Sequence, residues 1–160
     1  MPDVGAVSTL RAVLRAEIEG HGALLRVLLA EQEALRCANA EAVALAAHDK
    51  ARHIHELETL AGQRTELLIS LGLALTPNGV ETGRLAPAHA DEVRADWARL
   101  RAVASEAQHA NALNGRLIAR HQRHCESALA KLLQAGGRSP VYGADGRPQH
   151  AVAPRPLAAI

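Results

Sequence analysis

Apolar residues recur at three- and four-residue steps along most of this chain. Leu10, Leu14, Ile18, His21, Leu24/Leu25, Leu28 and Leu35 trace one face of a first helix, expected over about residues 8–37 with Ser8 or Thr9 as its N-cap. Val43, Ala46/Ala47, Ile54, Leu57, Leu60/Ala61, Leu67/Leu68 and Leu71 define a second, over about 40–71, with Asn39 placed to cap it and Gly72 to end it. A third stripe, of period near 3.5, runs through Val93, Trp97, Leu100, Val103/Ala104, Ala107, Ala110, Leu113/Asn114, Leu117/Ile118, His121, Cys125, Ala128/Leu129 and Leu132. Pro87 suits the first position of that helix and Gly136-Gly137 its end, giving about 87–135.

Between the second and third helices, Pro77-Asn78-Gly79 and Thr82-Gly83 are turn chemistry: proline fixes φ, and glycine permits positive φ. Residues 1–7 hold Pro2 and Gly5 and are expected to be disordered. Residues 137–160, rich in proline and glycine, read as a flexible tail. Gly20 and Gly22 flank His21, which fits a kink, a close helix approach or no role at all. Arg52 and Glu56, four apart, are placed to pair on the outer face of the second helix.

Length sharpens this outline. The first two helices span roughly 45 Å each and the third roughly 70 Å, at 1.5 Å per residue. In an antiparallel three-helix arrangement the first two shield only part of the third. Asn114-Gly115 lies inside that third helix, where glycine costs about 1 kcal/mol relative to alanine. Either the helix breaks there and folds back, or its end projects with apolar surface showing. An exposed apolar strip usually marks an interaction site.

Composition narrows the fold class to all-α, an elongated antiparallel three-helix bundle or coiled coil. Hydrophobic residues make up 48% of the 160, but they are mostly Leu, Ala and Val, with no Phe, one Trp and one Tyr. Leucine and alanine favour helix, and the aromatic and β-branched residues that favour strands are scarce. A net charge of +1 gives no field for nucleic acid. The longest apolar runs are far short of a membrane span, and MPDVGAVSTL lacks the basic and apolar regions of a signal peptide. Cys37 and Cys125 stand alone, without a CxxC pair, as suits a reducing compartment, and a cytoplasmic location is expected.

Catalytic and metal chemistry find little support. His121, His124 and Cys125 lie within one and a half turns, with Cys37 as a conceivable further ligand, but solvated helix histidines are the default reading and no metal is expected. Glu106-x-x-His109 is half of a di-iron motif whose second copy is missing. His53 and His55 could suggest phosphotransfer, yet Ile54, Glu56 and Leu57 supply no cationic phosphate site. No Gly-rich phosphate loop, nucleophile elbow or catalytic triad is present, so neither an enzyme nor a cofactor is expected.

Two segments are more specific: Asn111-Ala-Leu-Asn114-Gly115-Arg-Leu117-Ile118, and Val141-Tyr142-Gly143-Ala-Asp145-Gly146 after the helix. With the acidic EQEAL at 31–35, LLISLGL at 67–73 and Trp97-Ala-Arg-Leu100, they make the chain resemble the FlgN-like flagellar export chaperones from about Leu10 to Gly146. The resemblance implies a cytoplasmic helical chaperone domain over 8–136. It would bind the C-terminal region of hook–filament junction proteins, prevent their polymerisation and escort them to the flagellar type III export gate and its ATPase components. Cargo binding would map to the C-terminal helix, here Asn111, Leu113, Asn114, Gly115, Leu117, Ile118, Leu129, Leu132 and Leu133. The apolar stripe offers a surface on which a disordered helical terminus can fold. Asn111, Asn114 and Gly115 are then either a simple kink or close approach, or a hinge that moves when cargo binds. Tyr142, not needed for a core, either docks on the export machinery or packs back on the bundle. The His121–Cys125 cluster and the long tail after Gly146 depart from the family pattern. The rival reading is a structural coiled coil that forms a homodimer through the same strip, without cargo.

Overall fold

The computed structural model describes residues 4–76, 79–136, 141–142 and 148–149. Three helices carry the fold: α1 (Val4–Arg36), α2 (Ala40–Ser70) and α3 (Pro87–Gly136). Two short strands, β1 (Leu75–Thr76) and β2 (Gly79–Val80), join α2 to α3, and β3 (Val141–Tyr142) and β4 (Pro148–Gln149) follow. The chain divides into two compact units, residues 1–118 and 119–160.

In the first unit, contacts fix the directions of the helices. Glu17 pairs with Arg64 and Glu31 with Lys50, so α1 and α2 run antiparallel. Arg11 pairs with Asp96, and Asn114 reaches the Leu28 carbonyl, so α3 runs parallel to α1. This is the all-α, up-down-up bundle that the three stripes predict. One core cluster joins Leu10 and Leu14 of α1, Leu68 of α2, and Val93 and Leu100 of α3. A second joins Leu24, Leu28, Leu57, Ala107 and Ala110. Gly20 marks a close approach of α1 to α2: a Cβ there would lie 2.9 Å from Leu57 Cδ2. No such contact exists at Gly22, where the nearest atom is Arg26 Nη1 at 4.0 Å.

Both ends of the first hairpin of helices follow from local hydrogen bonding. α1 ends with Asn39 N–H donating to Ala34 O at 3.0 Å and Ala38 N–H to Leu35 O at 3.3 Å. α2 ends with Leu73 N–H donating to Leu68 O at 2.9 Å and Gly72 N–H to Ile69 O at 3.0 Å. Each is a Schellman motif, which needs a left-handed residue at its centre. Gly72 supplies this at φ 64°, as its position in the sequence predicts, whereas the same role at the end of α1 falls to Ala38 at φ 52°. Asn39 then turns the chain and caps α2, its Oδ1 accepting from Ala42 N–H at 3.1 Å.

The start of α1 departs from the expected cap at Ser8 or Thr9. The helix begins at Val4, and Thr9 Oγ1 donates to the Gly5 carbonyl from within it. Val7 is the reason: its 2% exposure places a further apolar turn in the core. The interhelix segment is also more ordered than a plain loop. β1 and β2 pair antiparallel, Leu75 opposite Val80 and Thr76 opposite Gly79, with Pro77 and Asn78 outside the described residues. Leu73, Val80 and Leu85 are buried in the first cluster, and Thr82 accepts from Arg94 Nη1 at 2.9 Å.

In the second unit, residues 119–136 are helical, as the carboxyl-terminal part of an α3 that shows no break at Asn114-Gly115. Of the segment expected to be a tail, β3 and β4 pair antiparallel, Val141 opposite Gln149 and Tyr142 opposite Pro148. The remainder of 137–160, like residues 1–3, lies outside the described residues.

The two Schellman motifs give a paired test. Replacing Ala38 by glycine removes the Cβ penalty of a left-handed residue and should stabilise the protein by about 1 kcal/mol. Gly72→Ala should cost a similar amount, and its Cβ would also displace Arg84, whose Nη1 lies 2.9 Å away. Urea melts of the two variants should therefore shift in opposite directions.

Candidate functional site

Among the described residues of the first unit, three carboxylates are buried and set its polar architecture. Glu17 and Glu31 are each 1% exposed and Asp96 is 6% exposed. A buried charge is tolerated only when paired and hydrogen-bonded, and each of these is held by a cation from a different helix. Arg64 of α2 reaches Glu17, and its guanidinium carbon also stands 5.3 Å from the ring centroid of Trp97 on α3. Arg11 of α1 donates from Nε to Asp96 at 2.9 Å and also meets Glu92 at 2.6 Å. The Asp96 hydrogen bond, with Glu92 adding to it, holds the Arg11 guanidinium above its already high ordinary pKa.

The third carboxylate bears directly on Asn114. Lys50 Nζ donates to both oxygens of Glu31, at 2.7 and 3.0 Å. Asn114 Nδ2 donates to Glu31 Oε2 at 2.9 Å and to the Leu28 carbonyl at 2.7 Å. One buried point thus ties all three helices together. Asn114 is itself 1% exposed, so it presents nothing for a partner to contact. Its neighbour Gly115 is exposed, with no atom within 4 Å of where a Cβ would stand, and so is not the site of a close helix approach. The helix is assigned without a break through the Asn-Gly pair, where the sequence left a break, a kink or a hinge open.

The other residues assigned to cargo binding separate by burial. Asn111 is exposed, while Leu113, Leu117 and Ile118 are half-buried. In the second unit, Leu129, Leu132 and Leu133 are 58%, 69% and 68% exposed. At 100° per residue they fall, with exposed Cys125, within about 100° of one another around the helix. Tyr142 lies on β3 opposite Pro148, and its side chain is outside the described residues.

Sequence reasoning missed a groove. Glu17, His21, Leu24 and Leu28 of α1 form its floor. Lys50, Ile54, Leu57, Ala61 and Arg64 of α2 form one wall, and Trp97, Leu100, Ala104, Ala107 and Asn111 of α3 the other. It comprises cavities of about 430 and 190 Å³ that share His21, Leu24, Ile54 and Ala104. The signal was present in the spacing of Ala61, Ala104 and Ala107, small residues that leave room between two helix faces, but alanine counts as an ordinary core residue in a periodicity argument.

The described histidines gather no ligand set. Among the described residues no three His, Cys, Asp or Glu side chains converge as metal ligands would. His121, His124 and Cys125 are exposed. Cys37 donates its thiol proton to Glu33 Oε1 at 3.4 Å, and that bond pushes the thiol pKa up, away from the thiolate that binds metal.

The first unit is thus a helical bundle with buried interhelical ion pairs, and the second unit carries an exposed leucine strip. The sequence model described as FlgN protein matches residues 1–150. The chain belongs to the FlgN family, a family of flagellar export chaperones. No curated protein and no solved structure matches it. No described helix is long and apolar enough to cross a membrane.

Removing the Asn114 amide should cost about 2 kcal/mol, since Glu31 and the Leu28 carbonyl lose a buried donor; Asn114→Ala tested by chemical denaturation gives the value. Gly115→Ala, in open space on a helix, should instead stabilise by about 0.5–1 kcal/mol. The Glu17–Arg64 pair predicts strong non-additivity. Arg64→Met alone should cost about 3 kcal/mol by leaving a buried charge uncompensated, while Glu17→Leu with Arg64→Met should be near neutral. A double-mutant cycle measures the difference.

Proposed function

We propose that the protein is a cytoplasmic export chaperone for hook–filament junction proteins. It binds their C-terminal helical region, prevents premature polymerisation and delivers them to the export gate. The observation that carries this reading is the exposed strip of Leu129, Leu132 and Leu133 on a helix, where apolar side chains otherwise face water. Half-buried Leu113, Leu117 and Ile118, with exposed Asn111 and Gly115, are proposed as further cargo contacts in the first unit. A cargo segment that is unfolded alone can fold against such a stripe as an amphipathic helix. The ordering cost keeps affinity modest, which suits a chaperone that must release its cargo.

Asn114 takes a different role in this mechanism from the one its motif suggests. It ties α3 to α1 and, through Glu31, to Lys50 of α2 within the first unit. Within the second unit, the helix itself holds Leu129, Leu132 and Leu133 at fixed spacing, which lowers the cost of ordering them on binding. Tyr142, within a paired strand rather than an isolated tail position, is proposed to contact the export machinery.

The test is mass measurement of the purified chain, alone and with a C-terminal fragment of a junction protein. A complex is expected with the full chain and should be lost on truncation after Arg120. A tight self-dimer indifferent to the fragment would favour the homodimeric coiled coil and contradict the chaperone reading.

A further inference from the structure

Asn114-Gly115 carries covalent chemistry of its own, apart from its place in the bundle. Asparagine followed by glycine is a dipeptide prone to deamidation, because glycine has no side chain to shield its backbone nitrogen. The Gly115 nitrogen attacks Cγ of the Asn114 side chain, its proton leaves with the amide nitrogen as ammonia, and a five-membered succinimide closes. Water then opens that ring at either carbonyl. The products are aspartate or, with one more carbon in the backbone, isoaspartate. The reaction needs only the chain and water.

The folded chain opposes the attack in three ways. Both residues lie within α3, and a helical ψ of about −42° turns the Gly115 nitrogen away from the asparagine side chain. The helix ladder engages the same nitrogen through its N–H. Asn114 is 1% exposed, and its amide nitrogen donates to the Leu28 carbonyl at 2.7 Å and to Glu31 Oε2 at 2.9 Å. Gly115, by contrast, is exposed with open space around it, so water reaches the dipeptide once those two contacts open.

We infer that Asn114-Gly115 is a concealed modification site whose deamidation records, and then locks, any opening of α3 at this point. The lock follows from the product. Aspartate at 114 puts a carboxylate where a donor stood, against the buried Glu31, whose two oxygens already take the Lys50 ammonium. Two carboxylates that close repel each other, and neither gains the donor that burial demands. Isoaspartate in addition lengthens the backbone and puts the i to i−4 ladder out of step. Either product keeps the three helices from being tied together again at this point. The inference is independent of the chaperone reading.

The experiment incubates the full chain in mildly alkaline buffer, with and without denaturing urea, and follows Asn114 by peptide mass and isoaspartate detection. Asn78-Gly79, the same dipeptide elsewhere in the chain, is the reference in urea. Asn114 should convert in urea at a rate close to that of Asn78, and at least tenfold more slowly in buffer, where reaction passes through local opening. Gly115→Ala should slow conversion in urea at least tenfold. Asn114→Asp should lower the urea midpoint further than Asn114→Ala does. That difference should shrink at least twofold in a Glu31→Gln background, which a loss of packing alone would not produce. Equal conversion in buffer and urea overturns the concealment. No conversion of Asn114 in urea overturns the site. An Asn114→Asp chain as stable as Asn114→Ala overturns the lock.

Discussion

Burying a carboxylate between helices is costly unless a cation meets it, and this constraint organises the bundle. Glu17, Glu31 and Asp96 each sit at an interhelical contact and each draw in a basic side chain from another helix. Leucine and alanine faces are interchangeable to a first approximation: a leucine stripe packs about as well after sliding by one turn. A buried ion pair does not tolerate that slide. The polar contacts therefore set register and direction, while the apolar clusters supply the driving force. A chain without phenylalanine and with one tryptophan has few large side chains to fix a unique packing, so the polar contacts carry more of that task here.

Asn114 shows the same constraint at work on α3 within the first unit. It completes the Glu31–Lys50 pair from α3 and bonds the Leu28 carbonyl of α1. The helix that continues from it through residues 119–136 carries leucines that no described residue covers. The Asn-Gly pair thus marks an anchorage point, and glycine beside it is an exposed helix position without a neighbour.

Much of this was legible in the sequence. Three apolar stripes gave three helices, Gly72 and Pro87 placed two boundaries correctly, and Arg52 pairs with Glu56 at 3.1 Å on the outer face as its spacing suggests. Family membership was legible in the Asn114-Gly115 and Tyr142-Gly143 segments. What remained hidden was long-range. Glu17 and Glu31 look like ordinary solvated charges in a helix, because nothing local distinguishes a carboxylate that will meet Arg64 or Lys50. Asn114 read as a helix breaker for the same reason: its favourable partners lie on another helix. Ala38 lacked any turn signature, since the left-handed conformation it takes at φ 52° is one its side chain does not favour.

We propose that Asn114 ties a continuous α3 to the bundle and that Leu129, Leu132 and Leu133 receive cargo. Hydrogen exchange of the full chain, free and with a junction-protein C-terminal fragment, tests it most directly. The account predicts strong protection around Asn111–Leu117 in the free protein, unchanged by the fragment, and protection over residues 120–133 that rises when the fragment binds. Rapid exchange at Asn111–Leu117 in the free protein, slowed only by the fragment, would instead make the Asn-Gly pair a hinge and contradict the anchored helix.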